Sequence, residues 1–215
     1  PEDKKRDQSY FLFSIKLKDL DFIDFPLGDF TKNEIRDLAK NMQFHLHDKA
    51  DSQDICFVPE GDYKEFIKKN INNPAKGEIV DLQNNVIETH EGIYNFTIGQ
   101  RRGLGVSKEK PMYVKKIDSK NNRVVVAEKE EINSSEVFVK DINYLTEIND
   151  LNIKVRVRST GSFLNAKLKK TNDKEATIIL DEPESAVSPG QACVFYAEDN
   201  YGTRLLGGGW IDSTN

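Results

Sequence analysis

The spacing of apolar positions changes once along the chain, from helical spacing to a period of two, near Pro74. Before that point, residues 8–20 carry Phe11, Leu12, Ile15 and Leu20 at mixed helical spacing, which predicts a first helix. Phe25, Pro26, Leu27 and Gly28 break it. Thr31 followed by Glu34 reads as a capping box, with the Thr oxygen accepting the amide of the third helical residue and Glu34 reaching back. Ile35, Leu38, Ala39 and Met42 then recur at i, i+3, i+4 and i+7, which predicts one buried helix stripe. Residues 51–61 show no period and read as a loop. Residues 62–70 predict a short helix with Tyr63, Phe66 and Ile67 inward.

Beyond Pro74 the period-two segments come in pairs. Residues 77–81 and 86–90 flank Leu82-Gln83-Asn84-Asn85, and residues 112–118 and 123–128 flank Ser119-Lys120-Asn121-Asn122, so two hairpins are predicted. Leu151, Ile153, Val155 and Val157 alternate with Asn152, Lys154, Arg156 and Arg158, a half-buried strand with a basic outer face. Residues 163–168, 176–180, 191–197 and 204–211 continue the series and predict a small closed or nearly closed barrel from about residue 136 onward. Gly207-Gly208-Gly209 inside the last strand predicts a bulge or a close backbone approach.

Composition narrows the class. Hydrophobic residues make up 37% and charged residues 31% of the 215 positions, yet the apolar ones are periodic, which excludes wholesale disorder. No run is long and apolar enough for a transmembrane helix, and no membrane partner is expected. No charged stretch followed by an apolar one opens the chain, so no secretory signal is read, and two cysteines suit a reducing cytoplasm. The chain opens at Pro1 directly in the charged run Glu2-Asp3-Lys4-Lys5-Arg6-Asp7, so the expectation is that it begins inside a longer protein. A net charge of -5 speaks against a generic nucleic-acid coat. Residues 101–123 run the other way, with eight Lys or Arg against Glu109 and Asp118, which suits either a solvated sheet face or a local anion-binding face.

The candidate chemistry is sparse. Cys56 lies in a predicted loop among acids that would raise its pKa, and reads as a nucleophile only if distant groups activate it, otherwise as a small hydrophobe between Ile55 and Phe57. Cys193 reads as core filler in a strand. His45, His47 and His90 lack the spacing of a zinc site, and no metal site is expected. Residues 99–105, Gly-Gln-Arg-Arg-Gly-Leu-Gly, are not followed by a helix pattern, so they do not read as a dinucleotide loop. Their glycines shape a loop that presents Gln100, Arg101 and Arg102 outward.

Six blocks sharpen this reading. Arg6-Asp7-Gln8-Ser9-Tyr10-Phe11-Leu12, Phe25-Pro26-Leu27-Gly28, Asp51-Ser52-Gln53-Asp54-Ile55-Cys56-Phe57, Thr97-Ile98-Gly99-Gln100-Arg101-Arg102-Gly103-Leu104-Gly105, Ala186-Val187-Ser188-Pro189-Gly190-Gln191 and Leu206-Gly207-Gly208-Gly209 occur in this order. Together they closely resemble the MnmA/TrmU family of bacterial tRNA-specific 2-thiouridylases, from the first residues to the last. The resemblance implies thiolation of C2 of the wobble uridine in tRNAs for Lys, Glu and Gln, with ATP, and with Mg alongside it, bound by an N-terminal PP-loop domain. It implies that Cys56 carries a persulfide received from a sulfur-donor protein. The family's Ser-Gly-Gly-x-Asp-Ser loop and second catalytic cysteine have no match in this chain, so the chain alone is expected to be inactive. The family's tRNA contacts fall on Arg6, Asp7 and Gln8, on Arg158 and Ser159, and on Gln191. Arg6 stands for the commoner Lys and permits a bidentate phosphate contact, whereas Ser159 stands for the commoner Gln and shortens the reach.

The expected class is therefore α+β, mainly β. Residues 1–56 are read as the helical tail of the PP-loop α/β domain, 57–135 as a small central β-containing domain, and 136–215 as a C-terminal antiparallel β-barrel. A cytoplasmic monomer acting on tRNA is expected. The alternative is a stand-alone tRNA-binding module without catalysis. A methyltransferase would need a glycine-rich cofactor loop that the sequence lacks.

Overall fold

A computed structural model describes residues 1–45, 48, 63–70, 75–106, 109–148, 152–200 and 202–215. The predicted loop 51–61 and Cys56 lie outside the described residues.

The C-terminal part is a closed barrel of six antiparallel strands: β5 (Asn133–Tyr144), β6 (Asn152–Arg156), β7 (Leu164–Lys170), β8 (Ala176–Ser185), β9 (Ala192–Asp199) and β10 (Gly202–Thr214). They follow the order β10-β5-β8-β7-β6-β9, and β9 pairs with β10 to close the ring. Alternate residues point inward, and Val137, Ile142, Val155, Leu168, Ile178, Cys193, Phe195 and Ile211 fill the interior. Closure removes the edges that an open sheet would expose.

β5 is the strand that alternation alone does not reveal. Val137 and Val139 are buried, then the burial pattern slips by one residue to Ile142. The slip is a bulge at Asp141, which takes a left-handed backbone (φ 52°). Opposite it stands Gly209, where an added Cβ would lie 2.6 Å from the Lys140 carbonyl. The glycine run is thus a close backbone approach, as the sequence predicts.

Four earlier strands, β1 (Gly77–Val80), β2 (Val86–His90), β3 (Tyr113–Asp118) and β4 (Arg123–Ala127), form a second sheet in the order β2-β1-β4-β3. Both predicted hairpins are present, β1 with β2, and β3 with β4. They join through parallel pairing of β1 with β4, around Ile79, Val114, Val124, Val126 and Leu104.

The N-terminal part departs from expectation. Residues 8–20 form no continuous α-helix but two 3-10 turns, Ser9–Ser14 and Leu17–Phe22. Tyr10 and Phe13, three apart, are the residues the first turn buries, which is the 3-10 repeat. They lie on the outer face of β9 against Ala192, Val194 and Tyr196. β9 is therefore apolar on both faces, which explains its unbroken run Ala-Cys-Val-Phe-Tyr. Helix α1 (Lys32–Asn41) begins at the predicted box: the Thr31 amide donates to Glu34 Oε2 at 2.7 Å, and the Glu34 amide to Thr31 Oγ1 at 3.4 Å. Its apolar stripe is not buried as expected: Leu38 is 44% and Met42 56% exposed. Ile35 and Ala39 of the same stripe are half-buried. Helix α2 (Tyr63–Asn70) is present, with Phe66 and Ile67 half-buried.

Candidate functional site

The first residues are strapped to the barrel by side chains of alternating kind. Asp7 caps the 3-10 turn by accepting the Ser9 amide at 2.8 Å, and its other oxygen lies 3.7 Å from Arg156 of β6. The Tyr10 hydroxyl donates to the Ala192 carbonyl at 2.9 Å, and its pKa is pushed up to about 12, first by burial. Asn143 of β5 donates to the carbonyls of Phe13 and Ile15, both at 2.7 Å. Phe13 also meets the Trp210 ring edge-on at 5.4 Å. Arg6 and Gln8 remain exposed at the start of this strap.

The outer row of β6 alternates as predicted, but it is not a bare basic face. Lys154 pairs with Glu198 of β9 at 2.9 Å. Arg156 meets Asp7, donates from Nε to the Gly161 carbonyl at 3.1 Å and lies 4.6 Å above the Phe163 ring. Arg158, in the turn after β6, pairs with Glu184 of β8 at 2.9 Å. Each base thus has an acid on a neighbouring element. Neither Glu184 nor the bond from Asp7 to Arg156 is legible in the sequence, where the partners lie far apart in ordinary acidic surroundings.

Strand pairing brings the remaining candidates close. β6 runs antiparallel to β9 with Arg156 opposite Val194, so the end of β6 faces the start of β9. Arg158 and Ser159 therefore share one end of the barrel with Gln191, while Tyr10 on Ala192 brings the strap to the same place. Gln191 is exposed, and its backbone is fixed between the Ser188 carbonyl and the Ile211 amide. Arg6, Asp7, Gln8, Arg158, Ser159 and Gln191, distant in sequence, are gathered at one end.

The loop carrying Gly-Gln-Arg-Arg-Gly is well anchored. Gly99 donates to the Val114 carbonyl at 2.8 Å, the Val114 amide returns to Gln100 at 3.0 Å, and Leu104 is buried. Arg101 and Arg102 point outward as expected. Gln100 does not: its side chain accepts the Thr97 amide at 3.0 Å and donates to the Arg102 carbonyl at 2.8 Å, clamping the loop.

Of the two cysteines, Cys193 lies in the barrel interior, and burial pushes its thiol pKa far up, which keeps it protonated and inert. His90 is buried with Nδ1 accepting the Gly92 amide at 3.0 Å, and burial lowers its pKa. The described residues do not fit an ATP-Mg site. The glycine loop at 99–105 leads to a strand rather than a helix, and the start of α1 is filled by the Glu34 carboxylate. Among the described residues no helix is long and apolar enough to cross a membrane.

Three family models match the chain in succession: a tRNA methyl transferase HUP domain over residues 1–60, a tRNA methyl transferase PRC-barrel domain over 64–128, and an aminomethyltransferase beta-barrel domain over 134–211. Among curated relatives, the tRNA-specific 2-thiouridylase MnmA of Anaplasma marginale is 44% identical over 98% of this chain and 54% of its own length. The protein of the same name from Methylobacterium radiotolerans is 45% identical over 97% of this chain and 56% of its own. That from Rickettsia prowazekii is 46% identical over 98% and 59%. The chain thus spans little more than half the length of these relatives.

Proposed function

Because the chain belongs to the MnmA/TrmU family of tRNA-specific 2-thiouridylases, we propose that it is part of a tRNA-uridine 2-sulfurtransferase, which replaces the C2 oxygen of the wobble uridine in tRNAs for Lys, Glu and Gln by sulfur. The observation that carries this reading is the 44% to 46% identity along nearly the whole chain to relatives named for that activity. The model names speak of methyl transfer, but the sequence holds no glycine-rich strand-to-helix loop for such a cofactor.

In this reading Cys56 holds the sulfur as a persulfide taken from a donor protein. A thiol can carry a terminal sulfur and be regenerated, which no other side chain offers. The terminal sulfur forms the new bond to C2 as the C2–O bond breaks, and the oxygen departs as part of AMP. A second thiol, outside this chain, then cleaves the S–S bond at Cys56 and leaves a disulfide. Making the C2 oxygen a leaving group needs ATP in this family, and no residue of this chain is assigned to that step. The chain's own part is to hold tRNA: Arg6, Arg158 and Gln191 engage the backbone, Asp7 orients the strap through Arg156, and the target base leaves its stack to meet Cys56. We place the protein in the cytoplasm as a monomer.

The test uses a persulfide donor and mass spectrometry. The 215-residue chain should gain one sulfur atom on Cys56 and none on Cys193, and should bind an unmodified tRNA transcript. With ATP added it should form no 2-thiouridine by itself; turnover would contradict the assignment of the ATP step elsewhere. The alternative, a stand-alone tRNA-binding module without catalysis, predicts tRNA binding with Cys56 unloaded.

A further inference from the structure

We propose that Arg101 and Arg102 form a second RNA-backbone contact, held in register with the barrel's tRNA-binding end by the packing of Gly99 on Ala186. The proposal rests on the tRNA-binding reading above and extends it to residues on the other sheet.

The register is set by an unusual contact. Gly99 has a left-handed backbone (φ 82°), and a Cβ placed on it would collide with the Cβ of Ala186. Ala186 is itself left-handed (φ 57°), a conformation that a non-glycine residue adopts only under strain. The loop around it is fixed on its far side. Val187 is buried in the barrel core, and the Gly190 amide donates to Ile211 of β10 at 2.8 Å. Two rigid loops therefore meet at a point where only a glycine fits.

That point joins the two charged regions. Ala186 is two residues from Glu184, the partner of Arg158, and five from Gln191. Gly99 is two residues from Arg101. The same junction thus places an outward arginine pair beside the end of the barrel where the candidate contacts gather.

Electrostatics favours the pair as a phosphate contact. Lys154, Arg156 and Arg158 each share their charge with an acid. Lys110 and Arg123, from the same basic stretch as the pair, are likewise paired, with Glu128 and Glu78. Arg101 and Arg102 are exposed, and neither makes an ion pair with a described residue. Their loop is held by the Gln100 side chain and by Val114, so little ordering remains to be done on binding. Adjacent guanidinium groups on a fixed loop suit two phosphates of a folded RNA, each able to accept a bidentate bond.

The experiment measures binding of an unmodified tRNA transcript to the 215-residue chain across a salt series. The double variant Arg101→Ala, Arg102→Ala should bind about tenfold more weakly, and the slope of log affinity against log salt should flatten by about one to two units. Arg101→Lys with Arg102→Lys should keep most of the slope. Gly99→Ala, with both arginines intact, should lose affinity by displacing the loop; the double variant carries the test if that substitution does not fold. Unchanged affinity and slope in the double variant, while Arg158→Ala weakens binding, would overturn this inference and leave the parent reading standing. No tRNA binding by the unsubstituted chain would overturn both.

Discussion

Arg158 and Glu184 face each other at 2.9 Å across the turn that ends β6 and the tail of β8, with side chains 38% and 18% exposed. The Arg158 guanidinium is thus already shared with a carboxylate. In the proposed tRNA contact, phosphate would compete with Glu184 for it.

Removing that competitor has a definite sign. Glu184→Gln should tighten tRNA binding by roughly 0.5–1 kcal/mol, the scale of a partly exposed ion pair, because it frees Arg158 and removes a negative charge near phosphate. Arg158→Ala should weaken binding by about 1–3 kcal/mol and flatten its salt dependence. Filter binding at several salt concentrations reads both. Weaker binding by Glu184→Gln in a normally folded protein would show that Glu184 supports the contact instead.

Cys193 should make the fold sensitive to alkali. Burial holds its thiol protonated well above the usual range, whereas an unfolded thiol ionises near pH ~8.5. Above that pH the unfolded chain holds fewer protons than the folded one, so stability falls as pH rises, by up to about 1.4 kcal/mol per pH unit. Below it the contribution is fully present. Tyr10, pushed up to about 12, adds a second loss above pH ~10. Urea unfolding under reductant should show a shallower decline between pH ~9 and ~10 for Cys193→Ala than for the unsubstituted chain. Equal slopes would refute the linkage.

Gly209→Ala should cost roughly 2–4 kcal/mol. The new methyl would lie 2.6 Å from the Lys140 carbonyl and 2.7 Å from Val139 Cγ1, and the first of these is backbone that the bulge holds in place. The urea midpoint should fall with the slope unchanged. A midpoint within experimental error of the unsubstituted chain would mean that β5 and β10 can separate at little cost.

What the sequence reveals follows from how local each signal is. The hairpins around Asn84-Asn85 and Asn121-Asn122 and the Thr31–Glu34 cap are written within a few residues, and the structure holds all three. β5 escapes because Asp141 shifts its parity, so Val139 and Ile142 no longer alternate. The parallel pairing of β1 with β4 is a long-range choice that neither strand's pattern encodes. Residues 8–20 read as helix from Phe11, Leu12, Ile15 and Leu20, whereas the structure buries Tyr10 and Phe13 at the i, i+3 spacing of a 3-10 turn against β9 and leaves Phe11 exposed. At the candidate site, Arg158 and Gln191 are visible through resemblance to a family. Glu184, which modulates Arg158, has no sequence signal at all.

The strap has a consequence for the order of assembly during synthesis. Tyr10 and the Ala192 carbonyl it binds are 182 positions apart, and β9 and β10 are the last strands of the barrel to be made. Tyr10 and Phe13 leave the ribosome long before their seat exists, and about 1.5–3 kcal/mol of burial for each must wait for it. At a translation rate of about 5–20 residues per second, that wait is on the order of ten seconds or more. The strap is therefore fixed only after the last strands of the barrel are made, and until the barrel closes its aromatic side chains are a surface that a chaperone could hold.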